Sequence, residues 1–387
     1  MIRRGSPEFV YPSVMMTPST VKDRIPVAIW AALLSTLCMI VGWNWDISWH
    51  RSVGRDTVWT PAHVAIYVSL AIAFAYNAWL VLSHTFGQHR QVSAIRVLGF
   101  SGPCGAFITL WAIFLQATAI VFDNWWHDAY GLDVIVFSPP HYMLSVAIAI
   151  FHFGQFVVVA SYHNTARPEH AKVVRWVVLI IWSFLISHQL ITDNAYGPLG
   201  VRSKFFLVTC ALFIPYSLTL IQTYLNSRYA GVVCALLYFG GLIVVMQIFQ
   251  LFPTTPGFGP VYHRVSFLLP PPFPLLLFIP AFAISLILGR REGARSWGTY
   301  LMAGLAFVVV FTGVNWVASG FLTSEWGNNR FFAGGDPASA FFANYRQVRP
   351  LGFDAFSGAL AMMSVFLAAF SAWSGVWVGR WLRRVVR

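Results

Sequence analysis

The chain has 387 residues, of which 58% are hydrophobic and only 10% are charged, with a net charge of +12. A soluble domain of this size carries about a quarter charged residues, so a water-soluble globular fold does not fit. The excess positive charge lies in the connections between apolar runs, which is a simpler cause than a nucleic-acid partner.

Apolar runs of roughly 18 residues or more recur along the chain, the length needed to cross ~30 Å of hydrocarbon. Lipid offers no hydrogen bonds, so each run must be a helix or a barrel strand. The runs are too long for barrel strands and do not alternate, and the spans are read as helices. In chain order, a cytoplasmic arm at 1–25 precedes ten predicted spans at 26–43, 61–83, 99–122, 139–161, 174–192, 205–225, 230–252, 271–289, 299–320 and 356–378. With the N-terminus in the cytoplasm, 17 of the 25 Lys and Arg fall inside, as the positive-inside rule requires. Nine of the 13 Asp and Glu fall outside. The expectation is an all-α polytopic transmembrane bundle in a bacterial-type inner membrane, with both termini cytoplasmic and the chemistry on the periplasmic side. Residues 26–161 form a four-span repeat region, and 162–387 a six-span membrane region to which the sequence assigns no role. Cys38, Cys104, Cys210 and Cys234 sit singly in apolar runs and read as packing residues. Trp43, Trp45, Trp49, Trp59, Trp125 and Trp126 flank the acidic outer connections and suit interfacial belts.

Two outer segments repeat one pattern. The first runs from Trp45-Asp46 through Trp49-His50, Gly54-Arg55-Asp56-Thr57 and Trp59-Thr60-Pro61 to His63. The second runs from Phe122-Asp123 through Trp126-His127, Gly131 and Asp133 to Phe137-Ser138-Pro139 and His141. Each joins an odd span to the next even one, so both lie on the same face of the membrane. Asp46 and His50 are four residues apart, as are Asp123 and His127, and on a helix each pair shares a face. Thr60 and Ser138 suit helix N-caps, with Pro61 and Pro139 at the first helical position. His63 and His141 then fall in a first turn, where the helix dipole favours the neutral imidazole that a metal needs. Asp46, His50 and His63 could hold one metal ion, and Asp123, His127 and His141 another, each with coordination positions left open. Arg55, Asp56 and Asp133 suit supporting roles, orienting a histidine or pairing within the loop.

These motifs resemble the copper sites of the C subunit of particulate methane and ammonia monooxygenases. Asp46-x3-His50-x12-His63, with Arg55-Asp56-Thr57 and Thr60-Pro61 between, resembles the first site. Asp123-x3-His127-x13-His141 resembles the second, where the family has Asn in place of Asp123. The resemblance covers roughly residues 26–160. It implies a copper-binding membrane subunit; zinc is the lesser alternative because Asp–His–His donors serve both ions. It also implies companion membrane subunits, a separate cupredoxin-like chain, a quinol reductant, and dioxygen used to hydroxylate a small apolar or ammonia-like substrate. Two other classes remain open on the residues alone: a metal-binding or metal-transporting membrane protein, and a structural subunit without oxygen chemistry. His152, deep in the fourth span, is a candidate for function or for a bond to a neighbouring helix. His188, Asp193 and His263 lie toward the triad side and fit either site contacts or interfacial hydrogen bonds.

Overall fold

The structure is a computed structural model that describes residues 25–54, 57–87, 94–131, 138–193, 204–255, 265–289, 296–327, 329–332 and 357–385. Ten helices carry the described chain. They are α1 (Val27–Ser52), α2 (Pro61–Phe86), α3 (Cys104–Tyr130), α4 (Pro139–His163), α5 (Pro168–Asp193), α6 (Lys204–Tyr224), α7 (Ala230–Phe249), α8 (Phe278–Leu288), α9 (Trp297–Leu322) and α10 (Gly358–Leu382). All but α8 are long and apolar enough to cross a bilayer. The protein is an all-α polytopic membrane protein. Its only described sheet is a hairpin of β1 (Ile95–Val97) and β2 (Phe100–Gly102). That hairpin delays α3 by five residues relative to the predicted span.

The helices that carry the repeats outrun their apolar cores. α1 has 26 residues and α3 has 27, about 40 Å at 1.5 Å per residue, against ~30 Å of hydrocarbon. Each therefore continues as helix past the predicted end of its span, and its last two turns hold an Asp and a His. Within each hairpin the helices approach closely because small residues face each other. A Cβ on Gly42 of α1 would lie 2.8 Å from Ile66 of α2, and one on Gly154 of α4 would lie 2.8 Å from the Thr109 nitrogen of α3.

α5 packs on α4 and also on α1. In the second half, α10 packs along α6 and also against α9. The predicted eighth span is helical only over 11 residues, Phe278–Leu288. Pro270, Pro271, Pro272 and Pro274 have no N–H to donate to a helix, so the chain enters α8 extended. Irregular backbone at membrane depth survives where protein buries it, and Leu268, Leu269, Leu275 and Leu277 are all buried. The Leu275 N–H donates to the Tyr238 hydroxyl at 3.1 Å.

At the end opposite the repeats, the two halves are fastened together. The Asn164 side chain donates to the carbonyls of Leu382 (2.8 Å) and Val385 (2.6 Å). Tyr224 donates to the Ala160 carbonyl at 3.0 Å. Arg383 donates to the Tyr224 carbonyl at 3.2 Å and also to that of Thr223.

Candidate metal centre

Both predicted triads come together at the same end of the bundle. In the first, His63 Nε2 lies 3.0 Å and His50 Nε2 3.8 Å from Asp46 Oδ1. In the second, His127 Nε2 lies 3.6 Å from Asp123 Oδ2, and His141 Nε2 lies 3.6 Å from Asp123 Oδ1. Two ligands about 2.0 Å from one ion at a tetrahedral angle are roughly 3.3 Å apart, so these separations bracket what a shared ion requires. Among the described residues, Asp123, His127 and His141 are the set whose three ligand atoms all lie within 4.8 Å of one another.

The tautomers fit the same purpose. His63 Nδ1 donates to the Thr57 carbonyl at 2.9 Å, and His127 Nδ1 to the Gly131 carbonyl at 3.0 Å. A carbonyl can only accept, so Nδ1 carries the proton and, in the neutral ring, Nε2 presents its lone pair to the carboxylate. A lone pair facing a carboxylate oxygen needs a cation or a proton between them. A metal-bound histidine almost always ties its other nitrogen to a carbonyl or carboxylate in this way.

The loops explain how those carbonyls are aimed. Gly54 and Gly131, the repeated glycines, follow α1 and α3 with φ of +107° and +83°. These angles suit glycine alone, and they turn the chain back over the helix end. The residues expected to cap α2 and α4 stand at the N-cap positions, but their hydroxyls make no helix cap bond. Thr60 Oγ1 instead accepts from the Thr57 N–H at 2.8 Å, which shapes the loop carrying the His63 acceptor. Ser138 Oγ pairs with His141 Nδ1 at 3.0 Å. The Thr57 and Gly131 carbonyls leave no mark in the sequence, because a backbone carbonyl has no letter of its own, whereas Thr60 and Ser138 are marked there as helix caps.

The remaining candidates divide. Arg55, Asp56, Asp133 and His263 lie outside the described residues, and so does the side chain of Asp193. His188 is buried and donates from Nε2 to the Ser145 carbonyl at 2.9 Å. His152 is fully buried, and its Nδ1 bonds to its own helix at Ile148 O (2.9 Å) rather than to a neighbour. Of the tryptophans expected at the interface, Trp59 and Trp125 are exposed, whereas Trp43 is buried and meets the His188 ring edge-on at 5.5 Å.

The fold and these contacts define a polytopic helical membrane protein with two carboxylate–histidine triads at one end. No family model, curated protein or solved structure matches the chain.

Proposed function

We propose that the protein is a copper-binding subunit of a copper-dependent membrane monooxygenase, with one ion held by Asp46, His50 and His63 and a second by Asp123, His127 and His141. The observation that carries this reading is the duplication of one arrangement. In each copy a carboxylate faces two imidazoles, and in each copy one of those rings has its far nitrogen tied to a loop carbonyl. Copper, when bound, supplies one-electron exchange and reactivity toward dioxygen. The chain's own residues supply the rest. Each aspartate offsets part of the ion's charge. The carbonyls of Thr57 and Gly131 hold two rings in the tautomer that ligates. Three protein ligands per triad leave positions for a small molecule. On the positive-inside pattern the triads face the periplasm. A companion cupredoxin-like chain, a quinol donor and a small apolar or ammonia-like substrate follow from the motif resemblance. The same donors also suit zinc.

The test is metal analysis with copper EPR on protein in nanodiscs. Wild type is compared with His50→Ala/His63→Ala and with His127→Ala/His141→Ala. The expected result is about two equivalents of copper in the wild type and a loss of about one in each double variant. Wild-type protein without copper, or variants that keep all of it, would sink the reading. Copper bound with no oxygen uptake under any donor would leave a metal-carrying or structural subunit.

A further inference from the structure

The interior formed by α1, α4 and α5 is more polar than a lipid-facing bundle needs. Asn44, Ser187, His188, His152, Gln155 and Ser35 are all buried, none more than 2% exposed. His188, His152, Gln155 and Ser35 follow one another in series, with Trp43 at the triad end. Trp43 and His188 are in ring contact, and the His188 and His152 rings lie 6.0 Å apart at 24°. Gln155, one turn beyond His152, donates to Ser35 Oγ at 2.8 Å. Trp43 is three residues below Asp46 on the same helix. Ser35 is eleven residues below Asp46, roughly 16 Å at 1.5 Å per residue. That is about half of a ~30 Å hydrocarbon layer.

Most of the unmet capacity along this row is for accepting, and the Trp43 indole N–H and the Ser187 hydroxyl, which also lack a partner among the described residues, are donors that waters in the row would take up. Asn44 donates to Ile40 O at 2.8 Å, but its Oδ1 accepts nothing from the described residues. The Gln155 amide donates, and its Oε1 accepts nothing from the described residues. His152 Nδ1 must carry the proton because it faces a carbonyl, so Nε2 is a fully buried acceptor with no donor among the described residues. His188 Nε2 donates to a carbonyl in the same way, which leaves Nδ1 as its basic atom. Buried acceptors in lipid surroundings are expensive unless a donor reaches them. Water is the donor that fits a narrow polar row, since it brings two protons and adapts to each neighbour.

We propose that α1, α4 and α5 enclose a hydrated proton path from the first triad to the middle of the bilayer, with His152 and His188 as its proton-accepting stations. A water in the row gives a proton to His152 Nε2, and Nε2 returns it to the next water. Nδ1–H stays on Ile148, so the ring neither flips nor gains a net proton over the cycle. The 6.0 Å between the two rings is spanned by one water. The use of the path rests on the first triad being a reactive metal centre, because reductive chemistry there consumes protons. Its existence does not.

The test therefore uses metal-free protein in nanodiscs and reads histidine C2–H/D exchange by mass spectrometry, which requires both water and a proton at the ring. His152 and His188 are expected to exchange within about tenfold of His84, a partly exposed histidine at the opposite end. Gln155→Leu is expected to slow His152 by about tenfold or more with His84 unchanged, and Asn44→Leu to slow His188 likewise. If both rings stay unexchanged while His84 completes, the row is dry and the proposal falls. It falls equally if neither substitution changes the rates. It also falls if Zn2+ protects both rings in a variant with all four triad histidines replaced by alanine, since that would make the pair a buried metal site. A substitution that unfolds the bundle reveals itself by raising exchange at His84, and the wild-type comparison then decides. Absence of copper at the triads would leave every one of these readings intact.

Discussion

The two triads share one local design but draw their support from different parts of the molecule. The second is the tighter, with its three ligand atoms within 4.8 Å of one another. Its three side chains are similarly covered, each 26–28% exposed. It is built within a single helical hairpin. Along α3, Trp111, Phe114, Val121 and Trp125 are exposed among the described residues. The first triad is lopsided, with Asp46 at 17% and His50 at 46% exposure. Its α1 turn, however, is gripped by the second half of the chain. Ser48 donates to the Leu269 carbonyl at 2.6 Å, and Ser52 Oγ accepts from the Leu269 N–H at 2.7 Å. Val53 packs with Phe249 and Leu268, flanked by Trp45 and Trp49. Among the described residues, one copy of the motif is thus held by contacts within its own hairpin and the other is braced by distant sequence.

The strongest way to break this comparison is Gly154→Val. The added carbon would sit 2.8 Å from the Thr109 nitrogen and force α3 from α4. Loss of one metal equivalent, with the first centre's EPR signal intact, is the expected outcome. Loss of both equivalents would mean that the second hairpin is not self-contained. Next come the aspartates. Asp46→Asn removes the less exposed charge, 3.0 Å from its histidine, and is expected to weaken metal binding on the order of 100-fold. Asp123→Asn matches the residue found in the resembling family and is expected to cost about tenfold. Titration with a competing chelator reads both. The pair Ser48→Ala/Ser52→Ala strips both backbone partners from Leu269 and is expected to lower stability by about 1–3 kcal/mol. Thermal unfolding would show that loss, and only the first centre should load less metal. Ser138→Ala frees the His141 ring and is expected to weaken the second centre by about tenfold at most, without touching the first.

Much of this was legible in the residues. Nine spans and the pairing of Asp46 with His50 and of Asp123 with His127 follow from apolar length and a four-residue step. Hydropathy alone ends the spans where the aspartates begin, while backbone hydrogen bonding carries α1 on to Ser52 and α3 to Tyr130, as the four-residue step of each Asp–His pair implies. The eighth span read as apolar, which it is. Only the proline run warned that its first half could not be helical. Ser48 and Ser52 gave no signal at all, because their partner Leu269 is more than 200 residues away and is engaged through its backbone. Trp43 looked like a belt residue from its position. The rotation of α1 against α5 is what turns it inward onto His188.

The clasp at the far end has a consequence in time. Asn164 leaves the ribosome 221 residues before Val385, the carbonyl it will hold. At about 5–20 residues per second that is a wait of roughly 10–45 s. During that interval the amide must be satisfied by water, by lipid headgroups or by a helper protein. Ser52 waits nearly as long for Leu269. The far end is therefore fastened only when translation is all but complete, whereas the brace on the first triad is in place once Leu269 is made, with 118 of the 387 residues still to come.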